Sequence, residues 1–184
     1  MRKILITLLE MLSLASVLHA QAGTFNNTPY QVCFTPGGKC TNLIVDRIND
    51  AKKTILVQAY SFTSKPIVKA LVDAEKRGVK VTALLDKSNA THKYSGLGAL
   101  LASNIPTKID YKVSIAHNKV MIIDGKVVMT GSFNFTRSAQ VRNAENSLII
   151  DNKELAQQYT TNFWRRWSKS ESVSMYCSFK KCKY

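Results

Sequence analysis

Residues 117–137 read HNKVMIIDGKVVMTGSFNFTR, two apolar runs that meet at Asp124-Gly125. An Asp-Gly pair between apolar runs is a strong hairpin signal, because both residues accept the positive φ that a tight turn demands. The spacing predicts two antiparallel strands joined by a two-residue turn. ENSLIID (145–151) reads as one more strand. Upstream, residues 41–53 place Leu43, Ile44, Ile48 and Ala51 at helical spacing, and TILVQAYSF (54–62) reads as a buried strand. SKPIVKALVDAEKRG is a second helix, with Ser64 as N-cap, Pro66 in the first turn and Gly78 as the stop. VKVTALLD (79–86) is another strand, followed by a short helix over 94–103 and a weaker strand over 108–113. NKELAQQYTTNFWRRWSKS (152–170) is the closing helix. Strands alternating with helices predict one α/β domain over residues 23–184, a mixed β-sheet flanked by helices on both faces.

The polar residues of the opening stretch are spaced for chemistry. On a strand, residues two apart share a face, so His117 and Lys119 are expected to project together. Ser132 and Asn134, also two apart, are expected to face the same point from the neighbouring segment. Gly131 allows close approach there. Imidazole, ammonium, hydroxyl and carboxamide at one spot suit a phosphodiester. Lys119 offsets the phosphate charge, while Ser132 and Asn134 donate to its oxygens as negative charge builds. A neutral imidazole at His117 can attack phosphorus and divide one hard displacement into two easier ones. No metal or other cofactor is required, and no carboxylate or histidine cluster suggests one. An isolated H-x-K would read more simply as a surface histidine beside an unrelated lysine.

The chain carries a formal net charge of +14 with a pI near 9.8, which predicts attraction to a polyanion, either nucleic acid or an anionic membrane surface. Residues 1–22 read as a signal peptide: Arg2 and Lys3 lead an apolar core broken by Glu10, and Ala20-Gln21-Ala22 forms a small-x-small cleavage site. An uncleaved anchor is the rival reading, but the apolar run is short for a span, and no stable membrane insertion is expected. Export to the periplasm or the exterior agrees with four cysteines, Cys33, Cys40, Cys177 and Cys182. Four cysteines allow three pairings, and the sequence does not choose among them; the local pairs close the shortest loops. The CxxC spacing typical of a four-thiolate zinc site is absent.

The spacing His117-x-Lys119, Asp124, Gly131-Ser132-x-Asn134 resembles the HKD motif of the phospholipase D superfamily at each of its defined positions. The leader, AYSFTS at 59–64, the single motif and the Trp-rich closing helix resemble its small bacterial endonuclease branch over roughly residues 28–167. The resemblance implies a phospholipase D-like fold and assigns roles. His117 would be the nucleophile that forms a phosphohistidine. Lys119 and Asn134 would hold phosphate oxygens, and Ser132 would support them. Glu145 stands where the family often keeps a carboxylate that orients the histidine; the plainer alternative is a strand-edge charge. Asp124 would be mainly structural. Lipid-cleaving members usually carry two motifs in one chain, whereas this chain has one, so a symmetric dimer with the active site at the subunit interface is expected to supply the second histidine.

The implied activity is metal-independent, sequence-nonspecific endonuclease cleavage of DNA, and RNA is not distinguished from it, with 5′-phosphate products. The alternative is a cardiolipin-type lipid phosphodiesterase at an anionic membrane. A non-catalytic nucleic-acid-binding protein is a third reading, which the complete motif disfavours. Once residues 1–22 are set aside, Arg2, Lys3 and Glu10 leave with them and the charge becomes +13. Lysines and arginines at 52, 53, 65, 69, 76, 77, 80, 87 and 93 are expected to track a nucleic-acid backbone. His92, with no such motif around it, reads as a loop residue near the substrate groove. Phe163, Trp164 and Trp167 stand at helical spacing with Arg165 and Arg166, which favours core packing over a stacking platform.

Overall fold

Two of the expected strands are apolar at nearly every position, the composition of strands covered on both faces, and they lie side by side at the centre of the sheet. The computed structural model describes residues 22–184, so the expected signal peptide lies outside the described residues apart from its last one. The chain begins with β1 (Tyr30–Thr35), α1 (Cys40–Asp50), β2 (Thr54–Ala59), α2 (Lys65–Lys76) and β3 (Lys80–Asp86). Two short helices follow, α3 (Ser88–Thr91) and α4 (Leu97–Ala102), then β4 (Thr107–Asp110), β5 (Lys119–Ile123) and β6 (Val127–Gly131). It ends with α5 (Arg137–Val141), β7 (Glu145–Asp151), α6 (Lys153–Trp167), β8 (Glu171–Ser172) and α7 (Val173–Phe179).

Among the described residues the strands form one sheet in the order β1-β7-β6-β5-β2-β3-β4-β8. The β2–β3 and β3–β4 pairs are parallel and the others antiparallel. Alternation along each strand sorts the side chains into two cores. Ile55, Val57 and Ala59 join Ile44, Leu71, Leu100, Ala139 and Tyr176 from the helices of one face. Leu56, Leu84, Val120, Ile122 and Val128 meet Ala156 and Phe163 of α6 on the other. Burying Phe163 contributes roughly 2–3 kcal/mol. The mixed sheet with helices on both faces is the architecture expected, and the second face is covered by α6 across its centre. Near β1 that face stays open, with Tyr30, Val32 and Phe34 exposed.

Local signals held with small departures. Ser64 stands at the N-cap of α2, although its hydroxyl makes no capping bond, and Gly78 takes φ +88° just beyond the helix. The strand expected over 54–62 stops at Ala59, because the chain then turns toward Phe135. Cys33 is bonded to Cys40 and Cys177 to Cys182, with Cα separations of 5.5 and 5.6 Å. These are the two local pairs, and they fit a protein that matures in an oxidising compartment. Among the described residues no helix is long and apolar enough to cross a membrane.

The hairpin turn has a tertiary purpose. Asp124 and Gly125 take φ of 53° and 64°, and the Lys126 amide donates to the Ile123 carbonyl at 3.1 Å. Yet the ladder resumes at Ile123 opposite Val127, so the loop holds three residues rather than two. The Asp124 carboxylate accepts from the backbone amides of Lys52, Lys53 and Thr54 at 2.9, 2.7 and 3.0 Å, clamping the chain where it enters β2. Burial pushes the Asp124 pKa up, but the three amide donors outweigh it and hold it below the usual 3.8. Asp124→Ala is therefore expected to lower stability by about 2–4 kcal/mol, from lost charge-assisted bonds and a strained φ. Because the folded-state pKa is depressed, the carboxylate's contribution is present above pH 3.8 and is lost as pH falls through the lowered value. Thermal melts of wild type and Asp124→Asn should thus differ at neutral pH and converge in acid; a gap unchanged by pH would remove the clamp's charge from the account.

Candidate active site

Strand register gathers the motif at one end of the sheet's strands. Ala59 pairs with Lys119, Gly131 with Ser147 and Thr35 with Glu145, so the ends of β2 and β6 meet the starts of β5 and β7. Lys119 shares a face with Met121 and Ile123 and turns toward the larger core, 7% exposed. Its Nζ donates to the His117 carbonyl at 2.9 Å and lies 5.2 Å from the centre of the Tyr60 ring. Desolvation pulls the Lys119 pKa below the ordinary 10.5, and the negative charge of Glu145 offsets part of that fall. Such an ammonium is poorly hydrated, and a phosphate would restore the contacts that water has lost.

His117 precedes β5 and is exposed, its ring packed on Tyr60 with centroids 4.7 Å apart. The imidazole and the ammonium therefore meet around one tyrosine ring rather than by strand alternation alone. Gly131 takes φ +145°, and a Cβ there would stand 2.4 Å from the Asn146 carbonyl oxygen. The glycine is required by the neighbouring backbone. The Ser132 hydroxyl accepts from the Asn146 amide at 3.1 Å, so it fastens the start of β7. Asn134 is half-buried, and its Oδ1 has no hydrogen-bond partner among the described residues. The Glu145 carboxylate accepts from Asn143 Nδ2 at 2.8 Å; its hydrogen bond goes there and its charge acts on Lys119.

Three supporting residues escaped sequence reasoning. Tyr60, inside AYSFTS, touches both His117 and Lys119. Asp86, 2% exposed at the end of β3, accepts from the Ala116 amide at 2.8 Å and the Ser88 amide at 2.9 Å. It thereby fixes the backbone beside His117. Asn89 donates through Nδ2 to the Tyr60 carbonyl. A carboxylate closing an apolar strand, as in VKVTALLD, was the one visible signal. The role of Tyr60 depends on β5 lying beside β2, which no local pattern carries.

The nine cations do not form one track. Lys52, Lys53, Lys76, Arg77 and Lys80 cluster where β2 and β3 begin, at the opposite end of the sheet from Lys119. Arg77 donates to the Ile48 carbonyl. Lys65, Lys69, Lys87 and Lys93 lie on the His117 side, where Lys87 donates to the Val113 carbonyl. The closing aromatic group packs only in part: Phe163 is buried with Trp167 stacked on it, whereas Trp164 is 44% exposed against the expectation, because its place on α6 turns it away from the sheet; Arg166 pairs with the buried Asp110. His92 borders a cleft of about 1040 Å³ whose lining also includes Asn134 and Thr63. Among the described residues no three His, Cys, Asp or Glu side chains gather as a metal site would require.

Residues 44–167 match the family model described as cardiolipin synthase, PLD-like domain. A phospholipase D of Rickettsia prowazekii is 44% identical over 162 residues, which cover 88% of this chain and 79% of that protein. Among solved structures, the phospholipase D family member Nuc from Salmonella typhimurium superposes with a TM-score of 0.75 at 38% identity, covering 79% of this chain and 97% of that one. NucT from Helicobacter pylori gives 0.70 at 25% identity, covering 79% and 99%.

Proposed function

The chain belongs to the phospholipase D superfamily and is a phosphodiesterase, and from that premise we propose that it is a metal-independent, sequence-nonspecific endonuclease whose first substrate is DNA. The observation that carries this reading is the pairing of an exposed imidazole with a desolvated ammonium, around Tyr60, on a chain of net charge +14. His117 attacks phosphorus and the P–O3′ bond breaks, leaving the 5′-phosphoryl group on the imidazole. The departing 3′ oxygen takes a proton from His117 of the partner subunit, which then accepts a proton from the water that cleaves the P–N bond. Lys119 and Asn134 hold the non-bridging oxygens, Ser132 supports them, and Glu145 balances the charge of the site.

One chain carries one copy of the motif and so one motif histidine, His117, and the reading requires a homodimer. The open end of the α6 face suits a second copy. Tyr30, Val32 and Phe34 are 68, 46 and 63% exposed on edge strand β1, and Phe34 stands opposite Asn146, beside Ser132. Apolar exposure continuous with the site is where a two-fold axis would bring two His117 side chains together. With the signal peptide at residues 1–22 and two disulfides, the dimer acts in the periplasm or outside the cell.

A lipid phosphodiesterase is the second reading. It is favoured by the name of the rickettsial relative and by Ile115, 54% exposed two residues from His117. Purified protein mixed with plasmid in EDTA separates the two. Nicking and degradation are expected; an intact plasmid together with headgroup release from cardiolipin vesicles would transfer the assignment to lipid.

A further inference from the structure

The loop between α3 and α4 presents an aromatic side chain that no intramolecular packing explains. Tyr94 is 72% exposed. The His92 ring stands edge-on to it at 6.1 Å, and Lys93 Nζ lies 5.7 Å from its centre. The loop itself is firmly tied. The Tyr94 amide donates to His92 Nδ1 at 3.2 Å, and the Gly96 amide donates to the Phe62 carbonyl at 2.8 Å. Ser95 Oγ donates to Asn89 Oδ1 at 3.1 Å, and Asn89 in turn holds the Tyr60 carbonyl behind His117. A large exposed ring on a fastened loop, registered to the candidate active site, is a prepared contact surface.

Tyr94 borders the cleft of about 1040 Å³ that also reaches Asn134. Lys65 and Lys69 line it; no aspartate or glutamate is among its lining residues, although Lys69 pairs with Asp73 one turn further along α2, an exposed contact that a phosphate can displace at small cost. Cations and an exposed aromatic ring lining one groove are the components of single-strand recognition: the groove follows phosphates, and the ring stacks on a base. A base in a duplex offers its faces to its neighbours, so only an unpaired one can lie on Tyr94. We propose that Tyr94, flanked by His92 and Lys93, is a stacking platform for one unpaired base of a single-stranded polynucleotide whose backbone runs along the cleft past Lys65 and Lys69 toward His117. The proposal rests on the nuclease reading and adds its preferred substrate, single strands, together with a base-binding subsite.

The test uses the full disulfide-bonded protein carrying His117→Ala, so that ligands stay uncut. Fluorescence anisotropy measures its affinity for a short labelled oligothymidylate, for an abasic strand of equal length and for a duplex. Adding Tyr94→Ala is expected to weaken oligothymidylate binding roughly tenfold, the effect of losing one stacked base. Tyr94→Phe should retain it. The abasic strand and the duplex should bind both proteins alike. The slope of affinity against salt, which counts phosphate contacts, should not change. An unchanged oligothymidylate affinity, an equal loss on the abasic strand, or a Phe variant that behaves like Ala would each overturn the platform. If wild type cuts no nucleic acid in EDTA and the parent variant binds none, the nuclease reading falls and takes the platform with it. Efficient cutting combined with an indifferent Tyr94→Ala sinks the platform alone.

Discussion

His117→Ala is expected to leave plasmid DNA intact under conditions where the wild-type protein degrades it in EDTA, with kcat/KM lowered by at least about 10⁴-fold. On the proposed shared-site dimer the loss is large, because one substitution removes the nucleophile from each subunit and the proton donor that serves the other. What would remain in that scheme is water attacking a phosphodiester held by Lys119 and Asn134, which is binding without its reaction path. The fold should be unaffected. The imidazole is exposed and its ring contact is with Tyr60, so the melting temperature should move by only about 1–2 °C. Rapid acid quench of the wild-type reaction should not preserve the intermediate, whereas alkaline quench should show a DNA strand joined through its 5′-phosphoryl group to His117, because a phosphoramidate is labile in acid. A variant that cut at the wild-type rate would remove His117 from the chemistry.

Val32→Lys combined with Phe34→Lys is expected to produce a folded monomer that has lost activity by about 10²-fold or more, the scale of one missing general acid. Both side chains are exposed in the single chain, so the replacements should leave its core intact. In the dimer they would instead bury four ammonium groups against one another across the two-fold axis, a desolvation cost of several kcal/mol. Sedimentation would report the mass and the EDTA plasmid assay the rate. A variant that remained dimeric would relocate the interface. A fully active monomer would dismiss the shared site altogether.

Much of this was legible because it is local. The Asp-Gly turn, the uninterrupted apolar strands and the Pro-started helix each depend on neighbours within a few residues, and each formed. β1 was not visible: its apolar residues alternate, but Tyr30, Val32 and Phe34 face outward and the strand pairs along one side with β7. The split of the cations between two ends was equally hidden. It follows from β2 and β3 running parallel, which places the starts of both strands, with Lys53 and Lys80, together at the far end. At the candidate site the motif spacing singled out His117, Lys119, Ser132 and Asn134 as candidates, whereas Tyr60 and Asp86 enter through contacts between segments far apart in the chain. Glu145 takes its hydrogen bond from Asn143 and its charge is felt by Lys119, neighbours that the motif spacing does not name.

The position of Asp124 gives the motif another meaning. It sits at the far end of the hairpin from His117, fastened to the start of β2, and it touches no reacting group. The four residues that separate it from Lys119 are the rest of β5, and the six before Gly131 hold the turn and most of β6. The interval is therefore a ruler. One residue added to either arm would reverse which face each side chain beyond it occupies, turning Lys119 out of its pocket or Gly131 away from the Asn146 carbonyl. The spacing of the proposed clasp at one end of the sheet is thus set as a fixed length measured from the other.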